Sequence, residues 1–159
     1  MIFAGWTGHE CDSIGSRSFA ETHPDIVSKI ATFIELDGFG SNGYYNQADG
    51  GLVPTNLDER RGIFTDNALL YSFAADAVLK YKLLPAAYLS ALALKVGDYA
   101  PFAVKGVPSL LIIGKSPLYH TELDTLEIIR PEQLERSAKA HVEIINKIHA
   151  TPAEDIKKV

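Results

Sequence analysis

Three short apolar runs, each stopped by turn-forming or polar residues, constrain this chain most. Residues 1–6 (Met-Ile-Phe-Ala-Gly-Trp) run into Thr7-Gly8, residues 29–36 into Asp37-Gly38, and residues 107–113 (Val-Pro-Ser-Leu-Leu-Ile-Ile) into Gly114. Apolar runs of this length between turn signals read as buried strands. Helical segments lie between and after them. Residues 15–22 have helical character and are ended by His23-Pro24, since the residue before a proline disfavours the helical region. Thr65-Asp66-Asn67 offers N-cap chemistry to a helix on which Leu69, Leu70, Phe73, Ala74, Ala77, Val78 and Tyr81 share a face, with Pro85 just beyond its end. Residues 131–149 form a second amphipathic helix, with Pro131 in its first turn and Leu134, Ala138, Val142, Ile145 and Ile148 on one stripe. Residues 87–94 predict a further strand, 95–99 a turn holding Gly97-Asp98, and 101–105 one helical turn closed by Gly106.

Strands alternating with helices predict an α/β fold, three-layered, with a mixed, largely parallel sheet flanked by helices. At 159 residues the chain is expected to form one domain over 1–159. Hydrophobic residues at 47% and charged residues at 22% are globular proportions. Fifteen Lys and Arg against twenty Asp and Glu leave a net charge of −5, which argues against nucleic-acid binding, because that rests on neutralising phosphates. The single cysteine, Cys11, excludes an intrachain disulfide framework and any multi-cysteine metal site. No run approaches the ~20 apolar residues of a membrane span, and no segment has the build of a signal peptide. A soluble chain is therefore expected, cytoplasmic if Met1 is the true start.

In open α/β sheets, ligands gather at the carboxyl ends of strands. The polar residues there are 7–12, Asp37 and 116–124. His9-Glu10, Asp37 and His120 stand out, because carboxylates with imidazoles suit zinc or another transition metal. No HExxH motif is present, and spacing alone leaves open that these are loop residues facing water. Residues 41–58, rich in Gly, Asn, Asp and Tyr, form a long loop or irregular hairpin and a candidate functional loop. Tyr44, Tyr45, Trp6 and Tyr119 suit either the lining of an apolar pocket or ordinary packing. Cys11 lies beside His9, but neighbours in a loop rarely present a nucleophilic Cys–His geometry. Residues 15–19 (Gly-Ser-Arg-Ser-Phe) lack the second glycine of a nucleophile elbow. His23 reads as a helix-boundary residue, and His141 and His149 as structural residues of the last long helix.

Four blocks, in order, resemble the co-catalytic zinc aminopeptidase family, which also contains glutaminyl cyclase and the non-enzymatic ectodomain of transferrin receptor. Ile2-Phe3-Ala4-Gly5-Trp6-Thr7-Gly8-His9-Glu10 with Ile14-Gly15-Ser16 resembles its strand–Gly-Glu-Glu–loop–Gly-Ser–helix segment. Ile34-Glu35-Leu36-Asp37 resembles its apolar strand ending in Leu-Asp. Asp98-Tyr99-Ala100-Pro101-Phe102 with Gly106-Val107-Pro108 resembles its Asp-His/Tyr-x-x-Phe and Gly-Ile-Pro segment, and Tyr119-His120-Thr121 with Asp124-Thr125 its Tyr-His-Thr and Asp-Thr signature. The resemblance implies that Glu10 and His120 share one zinc, that Asp37 binds the other, and that Asp98 supports the site by hydrogen bonding. It implies a peptide or amino-acid derivative as substrate, with Tyr45 and Tyr119 near it, and one or two zinc ions that polarise a carbonyl and acidify water.

The chain departs from that family in two ways. The family has Glu-Glu where this chain has His9-Glu10, so His9 replaces the usual general base. It can accept a proton, act as a third metal ligand, or be a polar residue of an inactive site. The family's His-x-Asp pair and bridging Asp belong before the first strand, which places this sequence in the C-terminal portion of such a domain, without the N-terminal strands. The resulting expectations are a zinc-dependent aminopeptidase-like domain; or a non-catalytic relative that binds a partner or self-associates through an exposed sheet edge; or, third, aminoacyl transfer of the glutaminyl cyclase kind. Homo-oligomerisation, or pairing with a missing N-terminal segment, follows from the same edge.

Overall fold

The computed structural model describes residues 1–93 and 97–158. Helices α1 (Ile14–Thr22) and α2 (Pro24–Val27) precede strand β1 (Phe33–Glu35). A hairpin of β2 (Asn42–Asn46) and β3 (Leu52–Asp58) leads into β4 (Arg60–Phe64). Then come α3 (Ala68–Lys80), β5 (Ala86–Leu89), the single turn α4 (Ala100–Ala103), β6 (Ser109–Lys115), α5 (Pro131–His149) and α6 (Ala153–Lys157). The main sheet has the order β1-β6-β4-β5. β6 runs parallel to β1 and antiparallel to β4, while β4 and β5 are parallel. This is the mixed α/β sheet that the alternation predicts.

β6 is the centre of the sheet, and its apolar run is continuous because both of its faces are covered. Leu110 and Ile112 point to one face, where they pack with Ile63, Leu70, Ala74, Val78, Ala140 and Ile144 of β4, α3 and α5. Leu111 points to the other, with Phe64, Ala91 and Tyr99. α3 begins where its cap chemistry predicts: the Asn67 side chain accepts from the Leu70 amide at 2.9 Å. Its predicted face is the buried one, through Leu70, Ala74, Ala77 and Val78.

Several expectations are corrected. Residues 1–6 form no strand, and Met1, Ile2 and Phe3 are exposed. No described strand lies alongside to share a ladder, so Trp6 is held instead by its ring contact with Phe19 at 4.9 Å. Of the run 29–36 only Phe33–Glu35 pairs as strand. The strand expected at 87–94 is Ala86–Leu89, followed by a turn at 90–93; residue 94, with Lys95 and Val96 of the expected turn, lies outside the described residues. Residues 41–58 are a hairpin whose register shifts between Asn42 and Tyr44. On α5 the buried residues are Gln133, Ser137, Ala140, His141 and Ile144, whereas Leu134 and Val142 of the expected stripe are 41% and 57% exposed. The cause is a buried carboxylate: Gln133 Nε2 donates to Glu59 Oε1 at 3.1 Å, so α5 turns a partly polar face inward.

An apolar trough of about 820 Å³ runs beside β1, lined by Met1, Trp6, Phe19, Phe33, Phe102 and Ile148 among others. β1 is an edge of the described sheet.

Candidate active site

Parallel pairing explains how residues far apart in sequence reach one place. β1 and β6 point the same way, so the loops after them leave the same end of the sheet. Asp37 follows β1, and the loop carrying Tyr119 and His120 follows β6. The loop after β1 is clamped on both sides. Gly114 N–H donates to Gly38 O at 2.5 Å, and the Gly40 and Ser41 amides each donate to buried Glu59 at 2.9 Å. Gly38 has φ +51, and a Cβ there would lie 2.8 Å from Ile113 Cγ1. Residues 7–12 arrive from a third direction. There Gly8 (φ +71) makes a tight turn under Ile14, whose Cγ2 would lie 2.5 Å from a Cβ on the glycine.

His9 is the hub of the sheltered side. Its Nδ1 lies 2.9 Å from Asp98 Oδ2, its Nε2 3.8 Å from Asp37 Oδ2, and Nδ1 is 4.0 Å from Glu35 Oε1. A carboxylate accepts, so the Nδ1–H donates to Asp98. That hydrogen bond raises the His9 pKa against partial burial, with the charges of Asp98, Asp37 and Glu35 adding to it. Glu35 is buried at the end of β1 and accepts from the Asp98 amide at 3.1 Å and the Tyr99 amide at 2.9 Å. Burial pushes Glu35 above the usual carboxylate range, opposed by those two amides. Gly97 lets the segment close over it: its φ is +85, and a Cβ there would meet both Glu35 oxygens at 2.9 Å. Tyr99 is fully buried, donates from its hydroxyl to Ala91 O at 3.2 Å, and has its pKa raised to about 12, chiefly by burial.

The second group is open to water. His120 Nε2 and the Tyr119 hydroxyl meet Glu10 Oε1 at 2.8 and 3.0 Å, although Glu10 and His120 are 110 positions apart. Glu10 and His120 are 58% and 54% exposed. The hydrogen bond from His120 holds the Glu10 carboxyl below its ordinary range. His120 sits at φ 61, and its ring stacks on Tyr119 with centroids 3.6 Å apart. The two groups share a field, since Asp37 acts on Tyr119 and His9 on Glu10. Tyr45 is exposed on β2 opposite Val53, and among the described residues no hydrogen bond joins it to the cluster. Cys11 is exposed and free.

Six of the seven site residues expected from sequence therefore meet in two adjoining groups, His9, Asp98 and Asp37 in one and Glu10, His120 and Tyr119 in the other, while Tyr45 joins neither. Glu35 and Glu59 were not singled out. Glu35 carried one signal, a carboxylate inside an apolar run, which is costly unless hydrogen-bonded. Glu59 sits in Asp58-Glu59-Arg60-Arg61 and reads as a solvated charge run. The imidazole and carboxylate donors fit zinc.

The family model of peptidase family M28 matches residues 1–145, and the chain belongs to that family. No curated protein sequence matches it. Among solved structures, the chain is similar to LapA of Legionella pneumophila, with 19% identity, TM-score 0.62, and coverage of 87% of this chain and 37% of that one. It is similar to the aminopeptidase of Aneurinibacillus sp. strain AM-1, with 22% identity, TM-score 0.65, and coverage of 88% and 31%. It is similar to LapB of Legionella pneumophila, with 19% identity, TM-score 0.66, and coverage of 91% and 38%. These likenesses show the same fold, and the chain spans about a third of the length of each. Among the described residues, no helix is long and apolar enough to cross a membrane.

Proposed function

We propose that this chain is the metal-binding C-terminal portion of a zinc-dependent aminopeptidase that removes N-terminal residues from peptides. The observation that supports this most is the meeting of Glu10 and His120 at 2.8 Å across 110 positions, beside Asp37, in a chain of peptidase family M28. Glu10 and His120 would hold one zinc and Asp37 would contribute to a second. Zinc supplies Lewis acidity toward a peptide carbonyl and toward water. The chain's own residues orient that chemistry. Asp98 holds the His9 ring at the position where the family carries its general base. Tyr119 donates to Glu10, holding that carboxylate beside His120, and its ring would flank the place where a substrate side chain lies. Tyr45, exposed on the hairpin, would also meet substrate.

The test is hydrolysis of aminoacyl chromogenic substrates with added zinc, together with metal analysis. Metal-dependent turnover lost in Glu10→Ala and His120→Ala supports the reading. Absence of bound zinc or cobalt at micromolar concentration, with both variants indistinguishable from the parent, would sink it. A second reading, a non-catalytic module that associates with polypeptide, is favoured by the apolar trough beside β1. Concentration-dependent association in sizing experiments, without metal-dependent turnover, would select it.

A further inference from the structure

We propose that His9 is itself a metal ligand, binding a divalent ion such as zinc through Nε2 together with Asp37, and that Asp98 is the carboxylate that positions it. This rests on the metal-site reading above and deepens it. Two donor atoms without a hydrogen bond among the described residues carry the proposal. His9 Nε2 and Asp37 Oδ2 lie 3.8 Å apart. Ligand atoms at ~2.0–2.2 Å from one zinc are separated by roughly 3.4 Å at the tetrahedral angle and cannot exceed about 4.4 Å. The observed gap falls between the two values, so both atoms would be within reach of one ion with the backbone where it stands.

The other side of the ring has the partner a ligand needs. A metal-bound imidazole almost always donates its remaining N–H to a carboxylate or carbonyl, which fixes its tautomer. Here Nδ1 is taken by Asp98 Oδ2 at 2.9 Å, so the Nε2 lone pair is the one presented toward Asp37. Simple proximity suggests a different set, since ligand atoms of His9, Glu35 and Asp98 lie within 4.8 Å of one another. The carboxylate oxygens of that set are committed except Asp98 Oδ1, which is buried and has no hydrogen-bond partner among the described residues. Both Glu35 oxygens accept backbone amides, and Asp98 Oδ2 accepts from His9. That cluster is the support, and the ion belongs on its open side.

The role has a chemical consequence. Nε2 cannot bind a metal ion and accept a proton at once. If His9 is a ligand, its loss changes metal content, whereas a general base would change rate alone.

Side-chain nitrogen NMR of the wild-type chain decides this without a variant, as zinc is added. The expected result is a large shift at His9 Nε2, with Nδ1 still protonated, alongside the shift at His120. Cobalt titration followed by visible absorption and calorimetry adds the variants. His9→Gln should weaken one cobalt site by 100-fold or more, and Asp37→Asn should affect the same site. Asp98→Asn should weaken it about 10–100-fold. Glu10→Ala should leave the His9 shift in place. If zinc moves His120 while His9 stays fixed, or His9→Gln leaves cobalt uptake unchanged, the assignment of His9 is overturned and the metal-site reading stands. If neither metal binds, both fall together.

Discussion

His9 and His120 each meet a carboxylate at under 3 Å, at 2.9 and 2.8 Å, yet the two pairs are built in different ways. Asp98 is 14% exposed, and its backbone is held by Glu35 from the neighbouring strand. Glu10 and His120 are both more than half exposed and are held by each other and by Tyr119. The first pair is set by the fold before any ligand arrives. The second is aimed by side-chain contacts that water competes with, so an ion would order it. Stability should therefore divide along this line, with variants of the support beneath the sheltered pair lowering it and variants on the open side leaving it unchanged.

Glu35→Ala should show the largest effect. It leaves the Asp98 and Tyr99 amides without their acceptor, at about 1–3 kcal/mol for a buried unsatisfied group, so urea unfolding should report a loss of roughly 2–4 kcal/mol. An unchanged midpoint would show that the sheltered pair does not depend on Glu35. Gly97→Ala comes next, because φ is +85 and the added carbon meets both Glu35 oxygens. The left-handed conformation alone costs about 1–2 kcal/mol for a non-glycine residue, and the same unfolding measurement reads it. On the open side, Glu10→Ala should leave the metal-free melting temperature where it is while reducing its rise with added zinc to the part supplied by an ion at His9 and Asp37. A rise of undiminished size would show that Glu10 holds no ion.

A third histidine extends the comparison to full burial. His141 Nδ1 donates to Ser137 O at 2.8 Å, and the ring stacks on Phe39 of the loop after β1. Burial lowers its pKa below 6.5. The unfolded chain then takes up a proton that the folded chain refuses, so this contribution is present above 6.5 and is lost as pH falls toward the depressed folded value. The stability difference between wild type and His141→Phe should move against wild type over that window and be flat above it. A flat difference throughout would mean that the ring is not sheltered in solution. The effect should be the smallest of the four.

Much of this division was visible in the sequence, though unevenly. Asp37 and His120 were legible because each closes a block of apolar strand and polar stop, and because parallel strands send both loops to one end of the sheet. Glu10 was legible beside His9 in the polar stretch 7–12, although the strand expected before it does not form. β4 was not, because Arg60 and Arg61 open it and a strand that begins with two cations looks like a surface turn. Arg61 is nevertheless buried, 3.6 Å from Asp58 and 3.8 Å from Glu59, and donates to Leu83 O at 3.0 Å. The buried face of α5 was misread for a related reason. Periodicity reports where apolar residues lie, and Gln133, Ser137 and His141 are buried by partners that periodicity cannot see. Residues 1–6 had the composition of a strand, but a strand also needs a neighbour.

His120 adopts φ 61, a backbone state that glycine enters freely and a residue with a Cβ enters at a cost. A library of this chain screened for thermal resilience alone should thus enrich glycine or asparagine at position 120 and discard the imidazole. A screen that rewards zinc capture should keep it. The same position would be pulled in opposite directions by durability and by chemistry, which makes it a place to watch the two kinds of selection compete within a single codon.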